Sequence, residues 1–425
     1  MAETERASGT TDADVTHAPG YLAHLLFFVC FCTMFEGYDV LIVSLSLPHI
    51  GKEFNASSDV LGYAVGVISI GTVMAFALVS LADRFGRRTI FLTAVTGYTI
   101  FTVLTAFSIG LYDFVAYQFI ARLFMVTEIG VAAIILTEEM PSKYRGAAVT
   151  LVFGIAIIGG IAGAMIYPLV VKSEFGWRGL YLLGGAVAPV LLIYWRRFQE
   201  TRRWQRYLRP TGEMRPSILS SYREMLTIFQ PKYRRRMLTG TSIWFAVNAW
   251  SASSLFFFTY YVTNERGWDA SQVASTLSMG FVFAIIGNIL AGPMIDFAGR
   301  RFTICAYFTV GTISAMTCFL TQSPAIIIAS YCVLMATQAM WGISATITSE
   351  IFPTEIRATG NAVVNNLLGR TGMVLAPGAV GALSLWLGSV GTAVAVLSVT
   401  PLLAIPVILM LLSEAKGKSL EEVAS

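Results

Sequence analysis

A short basic motif occurs twice in this chain, and it constrains the fold more than any other feature. The segment Asp83-Arg84-Phe85-Gly86-Arg87-Arg88 returns as Asp296-Phe297-Ala298-Gly299-Arg300-Arg301, about half of the 425-residue chain further on. A second motif, with Glu138, Pro141 and Arg145, recurs at nearly the same offset as Glu350, Pro353 and Arg357. Two different loops repeated in the same order indicate that the chain consists of a duplicated unit.

Composition indicates the environment of that unit. Hydrophobic residues make up 56% of the chain and charged residues 13%, with a mean hydropathy of +0.68. A soluble protein of this length could not bury so much apolar surface, so we expect the lipid bilayer as a partner. The net charge is +4, but the basic residues cluster in loops, most densely at 196–236. We therefore expect no nucleic-acid partner.

Twelve apolar runs have the length of a membrane span. They predict an all-α polytopic protein with an N-terminal six-helix bundle at 21–195, a basic central loop at 196–236 and a C-terminal six-helix bundle at 237–412. Residues 1–20 and 413–425 are predicted to be tails, the first of them disordered. The runs fall near 22–50, 59–82, 89–111, 113–137, 146–171, 177–195, 237–263, 270–295, 302–321, 324–349, 358–386 and 388–412.

Nearly all loop arginines lie on one side of this arrangement. The positive-inside rule then places both termini in the cytosol of a multi-pass plasma membrane protein, with a bacterial inner membrane as the expected location. In the repeated loop, Gly86 and Gly299 allow tight reversals, and the arginines hold the loop at the headgroups. Asp83 and Asp296 are each predicted to accept hydrogen bonds from the free amides of the next helix.

The repeated pattern resembles the signature loop of the major facilitator superfamily, found between spans 2 and 3 and between spans 8 and 9. The leading glycine of that signature is present as Gly292, whereas Val79 replaces it in the first copy. The resemblance implies two pseudo-symmetric six-helix bundles around a central cavity and transport by alternating access. It assigns a role in conformational switching to Asp83, Arg84, Gly86, Arg87, Asp296, Gly299, Arg300, Glu138, Arg145, Glu350 and Arg357.

Span 1 carries two acids in the segment Phe35-Glu36-Gly37-Tyr38-Asp39. Glu36 and Asp39 are three residues apart, so both lie on one helix face, and Gly37 leaves room for a neighbour or a ligand. Acids at membrane depth are functional candidates by default. The segment resembles the first-span motif of proton symporters for aromatic acids and other metabolites, which implies proton coupling by both carboxylates. The alternative is a structural ion pair.

Span 4 contains Gln118, Arg122 and Glu128. Relatives place an arginine in this span, and the spacing to Glu138 leaves either Gln118 or Arg122 at that position. The arginine is expected to pair with Asp39 or to hold an anionic substrate. Glu128 is predicted either to pair with Arg122 or to be a second proton site.

Span 11 contains Gly369-Arg370-Thr371-Gly372, followed by Pro377. This resembles the eleventh-span pattern of the same metabolite symporters. A guanidinium facing a central cavity suits a carboxylate, so Arg370 is predicted to bind substrate. The alternative is that Arg370 has only a structural role. Asn248 and Trp250 in span 7, and Gln338 and Trp341 in span 10, are further candidates for lining the cavity.

These observations predict proton-coupled uptake of a small organic anion, such as an aromatic or other monocarboxylic acid, by a monomeric transporter. The expected partners are that small-molecule substrate and the membrane, with protons as coupling ion and no cofactor or metal. An alternative substrate is a sugar or polyol. A polytopic enzyme or sensor without transport is the remaining alternative, although the sequence has no catalytic constellation and no folded soluble domain.

Overall fold

The computed structural model describes residues 20–207, 228–353 and 356–412, and the predicted tails and part of the central loop lie outside these residues. The described part is helical, with six spans on each side of the central loop. The spans are Tyr21–Glu53 (span 1), Ser58–Ser80 (2), Arg87–Thr105 (3), Leu111–Glu139 (4), Ser142–Val171 (5), Arg178–Gly184 with Val187–Tyr194 (6), Arg234–Asn264 (7), Ala270–Ala298 (8), Arg300–Leu320 (9), Pro324–Ala336 with Met340–Ile351 (10), Arg357–Ala362 with Thr371–Leu387 (11), and Val390–Leu397 with Thr400–Leu411 (12).

Four spans are interrupted. Span 6 breaks before Pro189, and span 12 breaks before Pro401, because proline cannot donate the amide hydrogen that continues a helix. Span 10 contains a 3₁₀ turn at Thr337–Ala339, and span 11 contains a π-helical segment at Val363–Gly369. Irregular turns inside long helices often mark functional positions. Both of these lie in the second half of the chain, close to the predicted site residues.

Ten of the described helices are long and apolar enough to cross a membrane. Span 6 is apolar but shorter, at Arg178–Tyr194, and span 7 completes the set of twelve with a more polar sequence. Length and apolarity on this scale require a bilayer. The chain is a multi-pass membrane protein.

Each half packs as a bundle. Spans 1 and 5, 2 and 4, and 3 and 4 are neighbours in the first half, as are spans 7 and 11, 8 and 10, and 9 and 10 in the second. The two bundles meet along three pairs of spans: 2 with 11, 5 with 8, and 1 with 7. Span 5 lies so close to span 1 that a Cβ on Gly37 would be 1.9 Å from the carbonyl oxygen of Ala156. The space left by Gly37 is therefore filled by span 5, not by a ligand.

The repeated motifs all lie at one end of the bundles, which we call the motif face, and we call the other end the opposite face. The bundles are in close contact toward the opposite face. The Ser58 and Ser384 hydroxyls, on spans 2 and 11, are 2.8 Å apart. Ser44 of span 1 donates to the carbonyl of Leu255 in span 7 at 2.9 Å. Hydrogen bonds between membrane-embedded helices hold this contact in the absence of a hydrophobic driving force.

Candidate functional site

The two acids of span 1 lie at the junction of the bundles. Asp39 is almost completely buried, with 2% of its surface exposed, and its Oδ1 accepts a hydrogen bond of 3.1 Å from Thr102 of span 3. Glu36 lies one turn nearer the motif face and is partly exposed, although it is in the middle of a span. Asp39 is therefore held by the first bundle, whereas Glu36 is accessible at the interface between the bundles.

Two arginines reach this junction from opposite bundles. Arg122 of span 4 places its guanidinium 5.9 Å from the centre of the Phe256 ring, which belongs to span 7. Arg370 of span 11 donates from Nη1 to the carbonyl oxygen of Thr72 in span 2 at 3.3 Å. Each arginine thus contacts the bundle to which it does not belong. Anything that binds both guanidinium groups also links the two halves of the protein.

The four charged groups interact without pairing. Glu36 is within electrostatic range of Arg122, Arg370 and Asp39, and Asp39 is within range of Arg122. Among the described residues, none of these four groups forms a salt bridge with an opposite charge. Charges at membrane depth without close partners are expensive. Such a site favours the binding of a ligand or a proton that compensates the charges.

Several buried polar atoms at or near this site have no hydrogen-bond partner among the described residues. Nearly all buried polar atoms in proteins are satisfied, so a group of exceptions indicates a place for a polar ligand or water. The set draws on both bundles. It comprises Arg122 Nη2, Gln118 Oε1, Arg370 Nε, Asn365 Oδ1, Gln338 Nε2 and Asn248 Oδ1.

A hydrogen-bonded chain prepares one donor in the second bundle. Trp341 Nε1 donates to Ser251 Oγ at 3.1 Å, and Ser251 Oγ donates to Gln338 Oε1 at 3.2 Å. The chain fixes the amide of Gln338 so that its Nε2 is free to donate. Trp341 also packs edge to face against Trp244, with ring centroids 5.6 Å apart. Gln338 lies in the 3₁₀ turn of span 10, and Asn365 lies in the π-helical segment of span 11, so both irregular segments carry unpartnered amides.

Three of the predicted site residues have different surroundings from those expected. Trp250 faces away from the other bundle, because a Cβ on Gly311 of span 9 would be 3.3 Å from its ring. Gln118 donates to Thr105 of span 3 at 3.0 Å within its own bundle. Glu128 does not pair with Arg122, because six residues along a helix place the two side chains on different faces. Instead Glu128 Oε1 accepts a hydrogen bond of 3.4 Å from Thr33 of span 1.

The repeated motifs form matching ion-pair networks at the motif face. Arg87 pairs with Asp83 at 2.8 Å and with Glu138 at 3.2 Å. In the second half, Arg300 pairs with Asp296 at 3.9 Å and with Glu350 at 2.8 Å. In each half the network joins the loop before span 3 or 9 to the end of span 4 or 10.

The remaining motif residues differ in their contacts. The glycines turn the chain with left-handed φ angles, 97° at Gly86 and 89° at Gly299. Arg84 is exposed, 5.4 Å from the Phe85 ring, and Arg357 Nε donates to the carbonyl of Phe352 at 3.3 Å. Arg145 lies near the start of span 5, and its side chain is outside the part of the chain that the structure describes.

The prediction that Asp83 and Asp296 cap the following helices is wrong. Neither helix start has a cap from these side chains, because each aspartate pairs with the arginine one turn later. In the first copy the cap comes from Glu200, whose Oε1 accepts from the Arg88 amide at 3.1 Å. Glu200 follows span 6, far from the motif in sequence, and no spacing rule within the motif identifies it.

Four further residues at the site carried no signal in the sequence: Thr72, Thr102, Ser251 and Phe256. Thr72 contributes only a backbone carbonyl, and the others are ordinary residues in apolar runs. Only the packing of the helices makes them neighbours of the charged groups.

Comparisons with known proteins all indicate the same family. A sequence model described as Major Facilitator Superfamily matches residues 29–263 and 239–424. The putative niacin/nicotinamide transporter NiaP of Bacillus subtilis is 25% identical over 391 residues, 91% of this chain and 95% of the relative. The cis,cis-muconate transport protein of Acinetobacter baylyi is 28% identical over 390 residues, 86% of this chain and 88% of the relative.

Solved structures share the fold. A D-xylose-proton symporter has a TM-score of 0.76 with 20% sequence identity, and the match covers 94% of this chain and all of that one. The inward-open xylose transporter XylE from E. coli has a TM-score of 0.72 with 20% identity over 95% of this chain and 99% of that one. At this level of identity the likeness concerns the fold, and it confirms the predicted arrangement of two six-helix bundles.

Proposed function

The chain belongs to the Major Facilitator Superfamily, and from this premise we propose that it is a proton-coupled symporter of a small organic anion. It is a transporter, as are the relatives that match it over most of their length. What we propose is the identity of the substrate, the coupling ion and the direction of transport.

One observation carries the choice of an anion: the two unpaired arginines at the junction, each of which contacts the opposite bundle. A carboxylate accepts charge-assisted hydrogen bonds from guanidinium groups, and Arg122 Nη2 and Arg370 Nε are both free to donate. A carboxylate that bridges Arg122 and Arg370 draws the bundles together. Substrate binding is thereby linked to the rigid-body movement of one bundle against the other.

Glu36 and Asp39 supply the proton-binding groups of the proposal. Both compete with the substrate for the positive charge of Arg122. A bound anion reduces the positive field at these carboxyl groups, and a desolvated carboxyl group in a weaker positive field binds a proton more readily. Anion and proton then travel together as a neutral combination, which lowers the barrier to moving the site across the membrane.

The second bundle is proposed to recognise the rest of the substrate. Gln338 Nε2 and Asn248 Oδ1 offer one free donor and one free acceptor, beside the Trp244 and Trp341 rings. An aromatic acid with a polar group suits this set of contacts. Relatives named for niacin, cis,cis-muconate, 4-hydroxybenzoate and gentisate transport favour the same class.

A sugar or polyol is the second candidate. Amides and tryptophan rings also bind neutral hydroxylated ligands, and the second bundle provides both. On this alternative Arg370 only stabilises the interface through the carbonyl of Thr72. The charge of the preferred ligand separates the two candidates.

The deciding experiment is uptake into proteoliposomes under an imposed pH gradient. Labelled nicotinate, 4-hydroxybenzoate, gentisate and cis,cis-muconate form the acid panel, and xylose and glucose form the neutral panel. Each transported acid is then competed with its own uncharged amide or alcohol. We expect gradient-dependent uptake of an acid and at least tenfold weaker competition by the neutral analogue. If the acid and its neutral analogue compete equally, the sugar or polyol becomes the favoured substrate.

We also propose the membrane, the orientation and the oligomeric state of the protein. The motif face is cytosolic, both termini are inside a bacterial inner membrane, and the functional unit is a monomer that binds no nucleic acid and no cofactor besides the coupling proton. The basic residues of the motif loops support this orientation. The orientation is measured by introducing single cysteines at position 55 and at position 425 and treating whole cells with an impermeant thiol reagent. We expect labelling only at position 55.

A further inference from the structure

Phe256 of span 7 takes part in two different contacts between the bundles. The centre of its ring lies 5.9 Å from the guanidinium carbon of Arg122 in span 4. Its backbone carbonyl accepts a hydrogen bond of 3.1 Å from the hydroxyl of Ser44 in span 1, which also donates to the carbonyl of Leu255. The contact with Ser44 is part of the closed opposite face. One residue thus joins an arginine of the candidate site to the closure of the protein.

The contact between Phe256 and Arg122 depends on that closure. The two residues belong to different bundles, so their distance changes when one bundle rotates against the other. Phe256 and Ser44 both lie in the half of their span nearer the opposite face. Opening of this face separates spans 1 and 7 there and withdraws the ring from Arg122. The ring therefore reaches the arginine only while the opposite face is closed.

The ring stabilises the charge of Arg122 without using its hydrogen-bond donors. The face of an aromatic ring attracts a cation, and an arginine that stacks on a ring keeps the N–H groups along its edge available. Among the described residues, Arg122 forms no salt bridge, and its Nη2 has no hydrogen-bond partner. In the closed conformation the guanidinium is thus held in place with a donor free for an anion.

We propose that Phe256 is a positioning residue for anion binding, which holds Arg122 for the substrate carboxylate only when the opposite face is closed. The inference rests on the proposed function, because it requires an anionic substrate at Arg122. If closure improves the binding of the anion, the bound anion must favour closure by the same factor. Phe256 thereby links occupancy of the site to closure of the opposite face.

Two reciprocal measurements on purified protein test this link. Both use the double variant Ser58→Cys with Ser384→Cys, because the native hydroxyls are 2.8 Å apart in the closed conformation. The affinity for the acid of the panel that binds most tightly is measured with the disulfide formed and with it reduced. The rate of disulfide formation is measured with and without that acid. We expect the crosslink to raise the affinity and the acid to accelerate crosslinking, and Phe256→Leu to reduce both effects about threefold or more.

Fluorinated phenylalanines at position 256 separate the attraction for a cation from packing. One, two or three ring fluorines change the shape little but weaken the negative face of the ring. The affinity of the crosslinked protein for the acid should fall with each fluorine, whereas its affinity for the uncharged amide should stay constant.

Two control variants make the result specific. Phe258→Leu is the matched control, because Phe258 is also buried on span 7 but stacks on Tyr331 of its own bundle, with ring centroids 3.8 Å apart. Thr127→Val is a control on the span of Arg122, because Thr127 is buried and its hydroxyl donates to the backbone of its own helix. Neither control should change the effect of the crosslink on affinity or of the acid on crosslinking.

Three outcomes would overturn the inference. Unchanged coupling in Phe256→Leu would show that the ring does not link the site to closure. An equal loss of affinity for acid and amide would show that Phe256 only packs, and tighter acid binding by Phe256→Leu would show that the ring competes with the anion. Failure of the proposed function is a different result, because no acid of the panel would then bind to the unmodified protein.

Discussion

Arg370 shows how a single residue at this junction combines substrate binding with contact between the bundles. Its Nη1 donates to the Thr72 carbonyl, while its Nε remains free. Removal of a charge-assisted hydrogen bond in a low-dielectric site loses about 1.5–3 kcal/mol, roughly ten- to a hundredfold in affinity. We therefore expect Arg370→Ala to weaken acid binding by that factor. Arg370→Lys should be intermediate, because lysine keeps the charge but not the planar donor geometry.

Binding of the labelled acid to the purified protein measures this effect, with Thr127→Val as the control. The same variants should barely change the affinity for an uncharged analogue. An equal loss for acid and amide would show that Arg370 acts on the structure of the site and not on the substrate charge.

Asp39 is a second single residue whose role can be tested. It is more deeply buried than Glu36 and is held by Thr102. Asp39→Asn preserves that hydrogen bond but removes the proton-binding group. We expect the variant to fold, to bind substrate and to lose accumulation against a gradient. Undiminished proton-driven accumulation by Asp39→Asn would remove Asp39 from the coupling mechanism.

At the scale of helices, the motif face is held by networks in which the buried partner matters most. The side chain of Asp83 is 74% exposed, whereas that of Glu138 is 8% exposed. Exposed ion pairs contribute little because water and salt screen them. Glu138 also accepts a hydrogen bond of 2.6 Å from Thr201, so it joins spans 3 and 4 to the segment after span 6.

We therefore expect Glu138→Gln to change the turnover rate more than Asp83→Asn does. Both residues are far from the charged junction, so the equilibrium affinity for substrate should change less than twofold in each variant. Turnover is measured by uptake and affinity by binding, both on the same preparations of each variant. The two measurements show whether Glu138→Gln reduces turnover more than Asp83→Asn does while affinity stays nearly constant. A larger effect from Asp83→Asn would show that the exposed pair matters more than burial indicates.

At the scale of the whole molecule, the bundles are closed toward the opposite face. The Ser58 and Ser384 hydroxyls are 2.8 Å apart across spans 2 and 11, and Gly62 and Gly381 let these spans approach closely. Alternating access requires this contact to open in the other half of the cycle.

A double variant, Ser58→Cys with Ser384→Cys, should form a disulfide under mild oxidation, because the two side chains are already adjacent. We expect the crosslink to reduce uptake at least tenfold and reducing agent to restore it. Each single variant, treated in the same way, is the control. Normal uptake by the crosslinked protein would show that the opposite face need not open at spans 2 and 11.

The sequence by itself determined the class of fold, because the duplicated loops and the length of twelve apolar runs are local properties of the chain. It also selected Glu36, Asp39, Arg122 and Arg370, since charge is rare in apolar helices and therefore conspicuous. The left-handed turns at the repeated glycines followed from the motif in the same way.

The tertiary structure alone decided which of these groups meet. Only the rotation and crossing of the helices direct Arg122 to Phe256, Arg370 to Thr72 and Glu128 to Thr33. Glu200 caps span 3 from a distant segment for the same reason. An apolar run shows that a helix lies in the membrane, but it does not show which side chains face the protein core and which face the lipid. The two environments are equally apolar, so the sequence does not distinguish them.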